Sequence, residues 1–236
     1  MKIALCYYGY AFNMSNTKNT TANDTAVNYN ATYSNHKNKL IDPNNMDIFI
    51  HSWSKEDESN IKETYNPIDS MLETQIDFTE EADKIYFNSA DRMHKYRTHV
   101  LSRWYSTQKV IELKSNYEKQ NNFKYDLVML SRFDVMYDGD WNIHTLDNTK
   151  FYVMDKWDGN YNNVLPDLWF IGNSNDMDKF GNLYENTNNI FHRTDLDTEG
   201  VYWGAHHLPR RQLIDTGVYD NIERCKLNNS TTVKRG

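Results

Sequence analysis

The tripeptide Arg132-Phe133-Asp134, with Asp138 and Asp140 close behind it, is the stretch of this sequence richest in chemical possibility. It follows the apolar run from Asp126 to Ser131, so its charged side chains stand at the end of a buried strand. An acidic residue projecting from a strand terminus can hold a divalent ion. Mg²⁺ or Mn²⁺ bound through one or two carboxylates completes its shell with phosphate oxygens, which makes a nucleotide diphosphate the natural partner. On these residues alone a second reading stays open, because a carboxylate just past a strand is also a common turn or salt-bridged surface group. Asp138-x-Asp140-x-Asn142 imitates the start of an EF-hand loop. Ile143 in the place of the turn glycine and Thr149 in the place of the closing glutamate exclude it.

The elements that must position these groups follow from pattern. Lys2 to Tyr8 is an apolar run closed by Gly9, and Met46 to Trp53 is a second β-rich run ending in His51, Ser52 and Trp53. Glu56 to Ala82 is mixed, with Pro67 interrupting any long helix, and Lys84 to Phe87 reads as a short strand. Asp91 can cap the longest helix, which runs to about Asn121 with Val100, Trp104 and Ile111 on one face. Phe151 to Met154 and Leu168 to Ile171 read as strands. A helix starts at Ser174 and carries Met177, Phe180, Leu183 and Tyr184, and a last short helix lies between Pro209 and Gly217. Residues 13–45, rich in Asn and Thr, predict a long mobile loop with one poor helix around Asp24 to Lys37 and a turn cluster at Asp42 to Asn45, and residues 222–236 predict a flexible tail. Strands alternating with helices or long crossovers predict an α/β fold, one Rossmann-like domain over residues 1–236 with a mostly parallel central sheet flanked by helices. Ligands of such sheets bind outside the carboxyl ends of the strands, where Tyr8 and Gly9, His51 and Ser52, and Arg132 to Asp134 would converge.

Composition narrows the chemistry further. With 17 Tyr, 10 Phe and 6 Trp the chain is too aromatic to be disordered, and a formal net charge of −7 argues against nucleic acid and anionic lipid as partners. No run of about 18 apolar residues predicts a membrane span, and the apolar start is too short for a signal-peptide core, so a cytoplasmic location is expected. Cys6 and Cys225 read as ordinary thiols. The sequence contains no G-x-G-x-x-G, Walker A, H-E-x-x-H or G-x-S-x-G pattern. Ser102, Tyr105 and Ser106 lie close together on the long helix, as the floor of a pocket or as a small-residue face packed on the sheet.

The ordered blocks Leu5 to Gly9, Asp47 to Trp53, Ser102 to Ser106, Tyr125 to Val128 with Arg132-Phe133-Asp134, and Asp167 to Gly172 with Asp176-Met177 resemble small GT-A-type glycosyltransferase-like proteins. Such proteins occur in bacterial surface-polysaccharide clusters and in large DNA viruses and phages; a viral member would work in the host cytoplasm. The resemblance implies a metal-dependent transferase that moves a monosaccharide from a UDP- or GDP-sugar to a glycan or other hydroxyl acceptor, with Mn²⁺ or Mg²⁺ as cofactor. Carried over by position, Asp134 stands for the second Asp of a D-x-D motif, and Arg132 occupies the place of the first, where its planar fork suits a diphosphate directly. The resemblance further implies that Tyr8, Gly9, His51, Ser52 and Ser102 frame the donor, and that His206 joins Asp134 as a metal ligand. It implies Glu199 on the acceptor side and Asp167 as the acceptor-side base; the position of Asp167 after Pro166 equally suits an Asx turn. Arg210 and Arg211 read as a solvated helix face. Two rival classes use the same residues: a non-catalytic carbohydrate-binding or virion-associated protein, and a nucleotidyltransferase or phosphoesterase.

Overall fold

The computed structural model describes residues 1–11, 28–84, 94–155, 165–191, 206–225 and 231–233. Its centre is a seven-stranded sheet. The strands are β1 (Ile3–Tyr8), β2 (Asp47–Ser52), β3 (Asp69–Leu72), β4 (Leu127–Arg132), β6 (Phe151–Met154), β7 (Trp169–Gly172) and β8 (Ile222–Cys225), in the order β3-β2-β1-β4-β7-β6-β8. β1 pairs in parallel with β2 and β4, β2 with β3 and β6 with β8, while β7 runs antiparallel between β4 and β6. The expected α/β class with a mostly parallel sheet is therefore present. β1 is buried along its whole length, which is why it reads as an unbroken apolar run.

Side chains alternate across the sheet. Ala4, Cys6 and Tyr8 join the core that contains Val100, Trp104, Val110 and Ile111 of the long helix α5 (His94–Asn121), whereas Ile3, Leu5 and Tyr7 join a second core with Tyr29, Leu40, Ile61 and Phe133. Tyr8 thus shares its face with α5. That helix ends at Asn121, and Asn122 takes the left-handed conformation (φ 53°) that closes helices. Asp91 and residues 85–87 lie outside the described residues, and Lys84 ends helix α4 (Thr79–Lys84) instead of starting a strand. Among the described residues no helix is long and apolar enough to cross a membrane.

Three expectations are corrected. α1 (Asn30–His36) falls inside the weak helix expected around Asp24 to Lys37, but where loop and turn are expected beyond it the chain stays helical, through a π-helical stretch (Lys37–Ile41) into α2 (Asp42–Asn44). The asparagines that weaken helix propensity here bond distant backbone instead. Asn35 donates to Tyr137 O (2.9 Å) and accepts from Tyr137 N (2.8 Å); buried Asn44 donates to Trp141 O (2.6 Å) and accepts from Ile143 N (2.8 Å). Within the expected tail, Ile222–Cys225 forms β8, and β9 (Thr231–Val233) pairs antiparallel with β5 (Val135–Tyr137), because strand pairing there rests on backbone bonds that composition does not record. The helix expected from Ser174 through Tyr184 is two, α6 (Ser174–Gly181) and α7 (Leu183–Phe191). Its cap is Asn173, whose side chain accepts from Asp176 N, while Ser174 Oγ donates to Glu118 (2.6 Å).

Candidate functional site

Tyr8 and Arg132 are register partners at the carboxyl ends of β1 and β4. Since β7 is antiparallel, with Trp169 opposite Ser131, the residues just before it return to the same edge and bring Asp167 there. From above, α5 sends down Arg103. Its guanidinium pairs with the Asp167 carboxylate through Nη1 and donates through Nη2 to Asp167 O (2.8 Å) and Tyr8 Oη (2.9 Å); the Tyr8 hydroxyl in turn donates to Asp167 O (3.0 Å). Arg103 also lies over the Trp104 ring, 4.3 Å from its centroid. His206 Nδ1 stands 3.7 Å from the other oxygen of Asp167. Burial alone would raise the Asp167 pKa, but Arg103, His206 and Arg132 outweigh it and hold the carboxyl below the usual range. Burial holds the His206 imidazole below its ordinary value, against the pull of Asp167.

Arg132 turns back on its own strand end. Nε donates to Asp134 Oδ1 (2.8 Å) and Nη2 to Asp134 Oδ2, a bidentate pair with Asp134 almost fully buried and Arg132 24% exposed. The turn that carries this pair is braced from the helical segment before β2. Thr32 Oγ1 donates to Phe133 O (2.6 Å), His36 Nε2 bonds Val135 O, and His36 Nδ1 meets Tyr7 Oη at 2.9 Å.

A second group shapes the loop after β1. Gly9 sits at φ +91°, where a side chain would be strained, and its N–H donates to Ser106 Oγ (2.8 Å). Ser106 Oγ meets His51 Nδ1 at 2.7 Å and His51 Nε2 meets Glu73 at 3.0 Å. The Glu73 carboxylate can only accept, so Nε2 carries the proton of the neutral imidazole and Nδ1 accepts from the Ser106 hydroxyl. Burial lowers the His51 pKa, only partly countered by Glu73, and keeps that neutral tautomer. Ser52 Oγ accepts from Ala11 N and Ser54 N, both at 3.2 Å. His51 and Ser52, expected to frame the donor, are both fully buried and hold the loop from beneath. Ser102 Oγ accepts from Gln75 (3.0 Å), and Tyr105 stacks on Trp53 with centroids 5.4 Å apart. Ser106 belongs to the packed face of α5.

The expected metal pair meets an obstacle. Both oxygens of Asp134 are engaged by Arg132, the Asp167 carboxylate is engaged by Arg103, and among the described residues no three His, Cys, Asp or Glu side chains group as ligands. A divalent ion at Asp134 would also sit against a fixed guanidinium. These donors do not fit Mn²⁺ or Mg²⁺. Asp140 is exposed, 3.7 Å from Lys39, and Arg210 and Arg211 bond Tyr219 and Asp215 on their own helix and its C-terminal flank. Glu199 lies outside the described residues.

A scan of protein-family models and a search of curated proteins found no match to this chain. Among solved structures it is similar to the apo form of mouse xyloside xylosyltransferase 1. That likeness has a TM-score of 0.47 and 8% identity, and it covers 95% of this chain and 84% of the other.

Arg103 is the site residue that motif reading passed over, and a signal for it was present. Residues 103, 107, 110 and 114 follow helical spacing, and Thr107, Val110 and Lys114 are all fully buried, so the stripe carries Arg103 inward. A guanidinium has five N–H groups. Arg132 spends one Nε and one Nη2 hydrogen on Asp134, which leaves a planar edge of donors on a partly exposed cation. What this edge can do is bind a planar or tetrahedral oxyanion beside a buried carboxylate held ionised.

Proposed function

We propose that this protein transfers a monosaccharide from a nucleotide-diphosphate sugar, with UDP or GDP as the carrier, to a hydroxyl group of a glycan. The observation that carries the reading is the convergence of Arg103, Arg132 and Asp167 at the carboxyl ends of the parallel strands, the edge where such sheets bind ligands. Each guanidinium is paired with a carboxylate, and what suits an anion is the edge of unused N–H donors that Arg132 keeps beyond its bonds to Asp134.

In the transfer, the acceptor oxygen attacks the anomeric carbon, the bond from that carbon to the diphosphate oxygen breaks, and the nucleoside diphosphate leaves with its added negative charge. Arg132 faces that charge with its free edge, and a preorganised cation there lowers the barrier without reorganising. The Gly9 loop, fixed by Ser106, His51 and Ser52, brings backbone close to the nucleotide. Asp167 offers the oxygen directed to His206 as acceptor of the hydroxyl's hydrogen bond, and of its proton in an inverting transfer.

Thermal-shift measurements across UDP, GDP, CMP and their sugar conjugates test the reading. Stabilisation by one diphosphate nucleotide that grows with its concentration supports it, and stabilisation by none contradicts it.

A further inference from the structure

We propose that the diphosphate is bound without a divalent metal, by the free edge of Arg132 in the position a metal would take, with Asp134 holding that guanidinium in place. The inference rests on the transferase reading and deepens it.

Four observations converge. Asp134, the carboxylate that follows β4, gives both oxygens to Arg132 and is buried behind it, so it presents no open face on which a hard cation could complete its shell of oxygens. Arg132 is the side chain of this pair that reaches solvent, at 24% exposure against 5% for Asp134. The fork is therefore presented and the carboxylate is hidden behind it. Arg103 pairs with Asp167 and donates to Tyr8, the register partner of Arg132, so the two guanidinia stand at one sheet edge. Finally, the brace from Thr32 and His36 fixes the backbone of Phe133 and Val135 on either side of Asp134, which keeps the pair from swinging as a loop would. A pre-oriented fork loses little freedom when it takes a phosphate, and two parallel N–H donors match phosphate oxygens.

The test is calorimetric titration of the full chain with UDP and with GDP, in excess EDTA and again in Mn²⁺. The wild-type protein should bind one of them with Kd values in the two buffers that agree within about twofold. Arg132→Lys keeps the charge and removes the fork, and should weaken binding about tenfold to a hundredfold in both buffers. Asp134→Asn should show no more response to Mn²⁺ than the parent. Circular dichroism and melting of each variant separate lost binding from lost fold, and the wild-type comparison decides even if a variant fails to fold. Binding that tightens more than about tenfold with Mn²⁺ overturns the inference and leaves the transferase reading standing. Binding of neither nucleotide in either buffer overturns both.

Discussion

Replacing His36 by Gln tests whether the buried imidazole behind the Arg132–Asp134 turn makes the fold lose stability in acid. His36 is buried, stacked on Tyr7 with centroids 5.4 Å apart, with Nε2 bonded to Val135 O and Nδ1 facing the Tyr7 hydroxyl at 2.9 Å. Burial lowers its pKa to about 4, despite the opposing pull of Val135 O and Asp134. The unfolded chain keeps a value near 6.5, so between these values the unfolded state binds more protons. Stability from this group is then complete above about pH 6.5 and is lost as pH falls toward 4. The linkage integral gives a loss of about 2 kcal/mol at pH 5 and about 3 kcal/mol at pH 4. Urea unfolding followed by Trp fluorescence at pH 7 and pH 5 measures it. Gln can satisfy Val135 O and Tyr7 without titrating, so the pH 7 to pH 5 loss should shrink by about 2 kcal/mol in the variant. His51 contributes with the same sign and leaves a residual slope. If parent and variant lose the same stability within about 0.5 kcal/mol, the reasoning about His36 is wrong.

Other perturbations address the scaffold and the chemistry. Gly172→Ala would place a Cβ 2.5 Å from the Phe151 ring and should cost about 1–3 kcal/mol, read as a lower urea midpoint with an unchanged slope. Lys114, fully buried, holds Glu118 (3.0 Å), Asp178 (2.6 Å) and Ser174 (2.7 Å); Lys114→Met should cost about 3–5 kcal/mol, and a cost below about 1 kcal/mol would show that Lys124 suffices. Asp167→Asn should lower kcat at least about a hundredfold with little change in nucleotide affinity, and a drop below about tenfold would remove Asp167 from the reaction.

The central strands were legible because burial on both faces writes itself as unbroken apolar runs, as in Leu127 to Leu130, and α5 because Val100, Trp104 and Ile111 recur at helical spacing. The weak helix around Asn35 was legible too, but its continuation to Asn44 was not, since asparagine propensity favours turns and the compensating bonds of Asn44 run to Trp141 and Ile143, about a hundred residues away. Likewise β3, with an exposed Met71 and only four residues, carries too little pattern to read. At the site, strand-end position placed Tyr8, Arg132 and Asp134 correctly at one edge. What sequence does not contain is the direction of side chains: that Arg132 would fold back on Asp134, that His51 and Ser52 would be sealed beneath the Gly9 loop, and that Arg103 would descend from α5 to Asp167.

A crystal soaked with the nucleotide sugar that stabilises the protein most tests the central claim directly. The account predicts diphosphate oxygens against the free edge of Arg132, with the sugar between them and Asp167. A diphosphate bound away from the ends of β1 and β4, or one held by neither Arg132 nor Arg103, would contradict it.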